Sequence, residues 1–221
     1  MWREVKAVLL KDLRMEWRSR HAIGSVFLYV VSSIFVAYSG FRQIVDVPVW
    51  NALFWIIVLF AAFNAASRSF QSEGEGRRIY LYTLARPEAV VLAKMLFNFL
   101  LLLVMVLTSF AVYAAMLGTS VLHAADAAAL LTALVLGALG LSAVLTLVSA
   151  LAAQSDQNLG LMAILGLPVI LPLLLLLMRF SKNAIDGIAW TANANYAWQL
   201  GALALLAAAL SYILFPYLWR E

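Results

Sequence analysis

The sequence predicts an all-α integral membrane protein, a bundle of six transmembrane helices preceded by an N-terminal amphipathic interfacial helix. Two observations carry this expectation. Of the 221 residues, 65% are hydrophobic and only 12% are charged, and the mean hydropathy is strongly positive. A soluble domain of this size cannot bury so much apolar surface, so a bilayer is the expected solvent. The apolar residues also come in long continuous runs, unlike the alternating ten-residue segments of an outer-membrane barrel. A backbone in lipid must satisfy its hydrogen bonds within helices or a closed barrel, and the runs select helices.

Residues 1–21 mix charges with Trp2, Val5, Leu9, Leu13 and Trp17 at helical spacing, so they predict a helix too polar to span that lies along the cytoplasmic membrane surface. A secretory signal is the competing reading. Against it, the charged region is too long, the following apolar run exceeds a usual h-region, and no small-residue cleavage site follows. Spans are expected at about 23–40, 49–70, 89–117, 130–153, 159–178 and 197–215, each near or above the twenty residues that cross a hydrocarbon core. The fourth is rich in Ala and Gly, which permits close helix contact. Pro168 and Pro172 interrupt the bonding of the fifth and predict a kink or a break. A longer connection is expected over Arg179–Tyr196, and the whole chain, 1–221, reads as a single transmembrane domain.

Lysine and arginine set the orientation, because they disfavour translocation. Arg3, Lys6, Lys11, Arg14, Arg18 and Arg20 precede the first span, and Arg68, Arg77, Arg78, Arg86 and Lys94 flank or occupy the connection between spans two and three. With Arg220 these fall inside, against Arg42, Arg179 and Lys182 outside, so both termini are expected in the cytoplasm. Arg68 and Lys94, close to the cytoplasmic ends of their spans, are read as snorkelling anchors. Trp50, Trp190, Tyr196, Trp198, Tyr212, Tyr217 and Trp219 fall near span ends, as an aromatic belt would.

The absent chemistry is equally informative. No glycine-rich phosphate loop ends in Lys-Ser or Lys-Thr, so ATP-driven work requires a separate ATPase. There is no HExxH helix, no GxSxG elbow and no carboxylate cluster within the spans, so the chain is not expected to be an enzyme. The sequence contains no cysteine, and His21 and His123 lie far apart, which argues against a metal or redox centre. The formal charge of +4 reflects basic residues beside apolar segments, which suits topology and contacts with membrane lipid rather than nucleic acid.

The most polar internal stretch, QSEGEGRRIYLYTLARPE at Gln71–Glu88, leads into the third span. Pro87 suits the first turn of a helix and Glu88 its positive end. Either this is an ordinary charged loop or it is a docking surface for a soluble protein, with Tyr80, Tyr82 and Leu84 filling a partner's pocket and Arg86 and Glu88 at the rim.

An interfacial helix, six spans and a second connection ending in LARPEAVVLAK resemble the membrane subunits of ABC-2-type transporters. More narrowly, Leu84–Lys94 and the proline-bearing LPVILPLL at Leu167–Leu174 resemble the CcmB family, the haem exporter permeases of cytochrome c maturation. The resemblance covers the whole chain. It implies an ABC-2-type permease bundle in the bacterial inner membrane, working as a homodimer with two copies of a CcmA-type ATPase. CcmC-type and CcmD-type membrane proteins and a CcmE-type haem chaperone are the further implied partners. ATP hydrolysis by the partner then drives release of the haem-loaded chaperone. No cofactor is expected on this chain itself, since ATP enters through the partner and haem is handled by the complex. The tryptophan-rich haem motif associated with CcmC is not seen. No haem ligand is assigned: His123, on an outer turn without a second ligand, is a weak candidate, and His21, within the basic interfacial helix, a weaker one. The candidate ATPase-coupling residues, read from the segment itself and not from the family, are Tyr80, Tyr82, Leu84, Arg86, Pro87 and Glu88, with Pro168 and Pro172 shaping the fifth span. Charges at Arg86 and Glu88 depart from the more apolar loop that would also fit the family. A permease for another cargo, such as lipid or drug, or a membrane scaffold without transport activity, is the alternative.

Overall fold

A computed structural model describes residues 1–18, 20–40, 46–71, 86–118, 120–152 and 158–218. Every extended element among them is helical. In chain order these are α1 (Trp2–Arg18), α2 (Arg20–Gly40), α3 (Val47–Gln71), α4 (Pro87–Leu117), α5 (Ala127–Ala152), α6 (Asn158–Ile185) and α7 (Trp190–Leu218), with one 3-10 turn at Ser120–Leu122. Five of them, α3 to α7, are long and apolar enough to cross a membrane, and the apolar stretch of α2, Gly24–Gly40, is shorter. The protein is therefore multi-pass.

The Ala- and Gly-rich α5 is the centre of the bundle and touches α3, α4, α6 and α7. Within its apolar stretch 67% is buried, against 28% for α7. Missing side chains allow this. A Cβ on Gly137 would stand 2.6 Å from Cη2 of Trp55 on α3, and one on Gly140 would stand 2.5 Å from Cδ1 of Leu173 on α6. Without a hydrophobic drive between helices in lipid, such close approach and its dispersion contacts hold a bundle together.

The two ends of the bundle differ. At one end, Gly118 turns the chain out of α4 with φ +94, and Asp126 caps α5 by accepting the N–H groups of Ala128 and Ala129 at 2.9 and 3.1 Å. There the Asp126 N–H donates to the Ala184 carbonyl, and Gly187, with φ +71, lies against the Ala124 carbonyl oxygen, 2.4 Å from where a Cβ would be. Beside these turns a polar and aromatic cluster fixes α3 to α6 and α4. The Trp55 indole N–H donates to Ser181 Oγ at 2.9 Å, Ser181 and Asn51 Oδ1 lie 2.7 Å apart, and the Tyr113 hydroxyl donates to the Trp50 carbonyl at 2.8 Å. The opposite end carries α1, packed through Val5 and Val8 against Ala89, Val90, Val91 and Ala93 of α4, with Ala150 of α5 and Phe215 of α7.

Three expectations change. The fifth expected span, α6, does not stop at Met178 but continues to Ile185, and the sixth, α7, begins at Trp190, so the connection expected over Arg179–Tyr196 contracts to 186–189. Phe180, Ser181, Ala184 and Ile185 recur at helical spacing and are buried, which keeps this polar-looking stretch on the core. No break occurs at Pro168 or Pro172, because α6 is continuous through both. Trp50 is not a lipid-facing belt residue: it is 1% exposed and packs edge-on to Tyr113 at 4.7 Å between ring centroids.

Candidate functional site

The segment expected to meet an ATPase ends where α4 begins. Arg86 occupies the N-cap position with extended backbone, φ −69 and ψ 143, and its side chain makes no capping bond. Pro87 follows at the first helical position, where its missing N–H removes one unpaired donor and its fixed φ suits the helix. Glu88 lies in the first turn, favourable for the positive end of the helix dipole. Tyr80, Tyr82 and Leu84 lie outside the described residues.

A side chain from α1 completes this helix start. The Arg86 backbone N–H donates to Glu4 Oε2 at 3.3 Å, across 82 positions of sequence. That bond lowers the Glu4 carboxyl from its ordinary value, and the N-terminal ammonium, 3.4 Å from Oε1, lowers it further. Two turns along α1, Asp12 Oδ2 stands 3.7 Å from Lys94 Nζ, and the two side chains are only 7% and 3% exposed. Lys11 reaches the other oxygen of the same carboxylate at 3.1 Å. A charge removed from water at this depth is costly unless paired, so the contact specifies one register of α1 on α4. Val5 and Val8 fill the space between the two polar contacts.

Lys94 therefore does not snorkel as an anchor; the apolar face of α4 around Val90, Val91 and Phe97 encloses it, and Asp12 meets it. A signal for this was present. Val5, Val8 and Asp12 follow one another at helical spacing on α1, and Ala93, Lys94, Phe97 and Asn98 do so on α4, so each charge occupies a core position of its own helix. Asn98, also buried, donates to Thr146 of α5 at 2.8 Å and ties the same region to the central helix.

The remaining candidates lie apart from this junction. Pro168 and Pro172 are exposed on α6, on the side that also carries Ile164, Leu171 and Leu175. His123 is exposed in the turn after the 3-10 helix, at the opposite end of the bundle, and the side chain of His21 lies outside the described residues. Among the described residues no three His, Cys, Asp or Glu side chains gather as a metal site would require.

A family model for the CcmB protein matches residues 3–217. The chain belongs to the CcmB family. Membership makes it a membrane permease subunit, not itself an enzyme, and a component of a haem exporter in cytochrome c maturation. The CcmB family in turn implies a system with CcmA-type and CcmC-type partners. No curated protein matches the chain. The junction of α1 with α4 lies at the start of the third expected span of this CcmB-family permease, next in sequence to the polar connection.

Proposed function

We propose that this chain receives the work of a separate ATPase at the junction of α1 with the base of α4, and passes it to the bundle to drive release of the haem-loaded chaperone. The observation that carries this is the buried Asp12–Lys94 pair, which fixes the interfacial helix to the helix that follows the polar connection. A partner that pulls on residues 71–88 moves the start of α4, and α1 follows because separating the pair would strand a buried charge. Asn98 and its bond to Thr146 extend the same contact into α5.

In this reading α2 supplies a sixth span, both termini and α1 are cytoplasmic, and the turns at 118–126 and 186–189 face outward. The partition of lysine and arginine favours that orientation. The permease works as a homodimer in the inner membrane, with two CcmA-type ATPases, CcmC- and CcmD-type proteins and a CcmE-type chaperone. Haem is handled by the complex and ATP is bound by the ATPase. Pro168 and Pro172 bend α6 where their missing donors leave the Ile164 and Pro168 carbonyls without a helix bond.

Tyr82→Asp and Leu84→Asp test the docking segment, since each places a charge in the proposed buried contact. The expected result is loss of ATPase co-purification or hydrolysis uncoupled from release, at normal abundance of the permease. ATPase binding and coupled release unchanged in both variants would remove the segment from the mechanism.

A further inference from the structure

The helix α1 has more apolar surface than its contact with α4 uses. At about 100° per residue, its side chains fall into three sectors of roughly 120° each. Val5, Val8 and Asp12 form the first and are buried against the protein. A second sector carries Trp2, Leu10, Leu13 and Trp17, which are 67, 52, 38 and 83% exposed. The third, with Ala7, Arg14 and Arg18, is exposed and mainly basic.

Charge divides the same way. Glu4, Asp12 and Glu16 all lie on the half of the helix that turns toward the protein or its edge. The other half bears Arg3, Lys6 and Arg14 beside the tryptophans and leucines, with no acidic residue among them, and all three basic residues are exposed. An apolar stripe containing two tryptophans and bordered only by cations matches the boundary between acyl chains and anionic headgroups. Indole rings favour that depth, and the guanidinium and ammonium groups reach phosphate from beside it. A soluble acidic protein would complement the charges but leave the indoles and leucines against a polar surface.

We propose that the second sector of α1, Trp2, Leu10, Leu13 and Trp17, with Arg3 and Lys6 beside it and Arg14 at its border with the third, is a binding surface that enriches anionic phospholipid beside the junction with α4. The first sector holds the helix to the protein, the second enters the headgroup layer, and the third faces water. Electrostatic enrichment at such a surface weakens with ionic strength. The proposal requires neither the ATPase nor haem, so it stands or falls separately from the coupling reading.

Because the chain has no cysteine, one fluorophore reports one position. The full-length protein carrying a bimane label at Trp17→Cys, or at Leu13→Cys as an independent position, is placed in nanodiscs of phosphatidylcholine and phosphatidylglycerol. At constant composition, one lipid and then the other carries brominated acyl chains. Brominated phosphatidylglycerol should quench the label more than an equal mole fraction of brominated phosphatidylcholine, by roughly two-fold or more at low salt. The ratio should fall to one when Arg3, Lys6 and Arg14 are all replaced by Gln. A label at Ala7→Cys should instead respond to aqueous iodide. Equal quenching by the two lipids in the native background would overturn the proposal, as would strong iodide quenching at both Trp17→Cys and Leu13→Cys. Shielding of both positions from lipid and iodide alike would also overturn it, by showing that protein covers this face.

Discussion

Gly137 and Gly140 sit one turn apart on α5, and a methyl group at either meets a different kind of neighbour. At Gly137 a Cβ would be 2.6 and 2.9 Å from two atoms of the Trp55 ring and 3.0 Å from Leu177 Cδ2. Trp55 is fully buried and tied by its N–H to Ser181, so its ring has nowhere to turn. At Gly140 the close atom is the flexible end of Leu173. Gly137→Ala should therefore destabilise the bundle by about 1–3 kcal/mol, the usual range for overpacking, and Gly140→Ala by less. Thermal unfolding in detergent checks the order, and a Gly140 variant that is the weaker of the two would contradict it. The sequence suggested close contact for this helix through its small residues, but it could not name the neighbours, because Trp55 and Leu173 come from two other helices. Lys94 shows the same limit. Its place in an apolar run was visible, but the partner that makes burial tolerable is 82 positions away, so snorkelling looked sufficient. Trp50, likewise, was assigned to a lipid belt by its nearness to a helix end, when its ring is enclosed by Phe54, Phe110 and Tyr113.

Among the elements, the existence of the helices was the most legible feature, since long apolar runs permit little else in a bilayer. Their ends were less so. The polar stretch RFSKNAI reads as a connection by composition, yet Phe180, Ser181, Ala184 and Ile185 return to the same face and continue α6. The prolines show why a local rule is incomplete. Each removes a donor from the helix interior, which in isolation costs about 3 kcal/mol or more, but the helix persists through both because its buried side, Ile170, Leu173, Leu174 and Leu177, is held by packing. If a bend at these prolines serves transport, Pro168→Ala with Pro172→Ala should leave expression and membrane insertion intact and reduce chaperone release. Release at the native rate in the double variant, at normal abundance, would show that the prolines are dispensable.

In the molecule as a whole, the two tight turns lie at one end of the bundle and α1 at the other, and the orientation we propose, from the partition of basic residues, puts the α1 end in the cytoplasm. Single cysteines near Gln43, Ser120 and Asn183 should react with an impermeant thiol reagent added outside the cell, whereas one near Glu75 should not. Labelling at Glu75 from outside would reject this orientation. The helical, multi-pass character is legible because hydropathy acts over whole segments. The junction of α1 with α4 is legible only in half: the sequence points to Arg86, Pro87 and Glu88 at the start of α4, but not to Glu4 and Asp12 of α1. Whether α1 and α4 move as one through the Asp12–Lys94 contact, as proposed, is tested by Asp12→Asn. Breaking a buried pair by removing one partner costs about 3–5 kcal/mol, whereas replacing both partners with apolar residues is often near neutral. ATP hydrolysis and haem-chaperone release should be measured in the same membranes for Asp12→Asn and for Asp12→Leu with Lys94→Met. Asp12→Asn should retain the ATPase and its hydrolysis but lose most release per ATP, and the doubly apolar variant should recover it. Native release per ATP in Asp12→Asn, at normal abundance, would show that the pair does not couple the two helices.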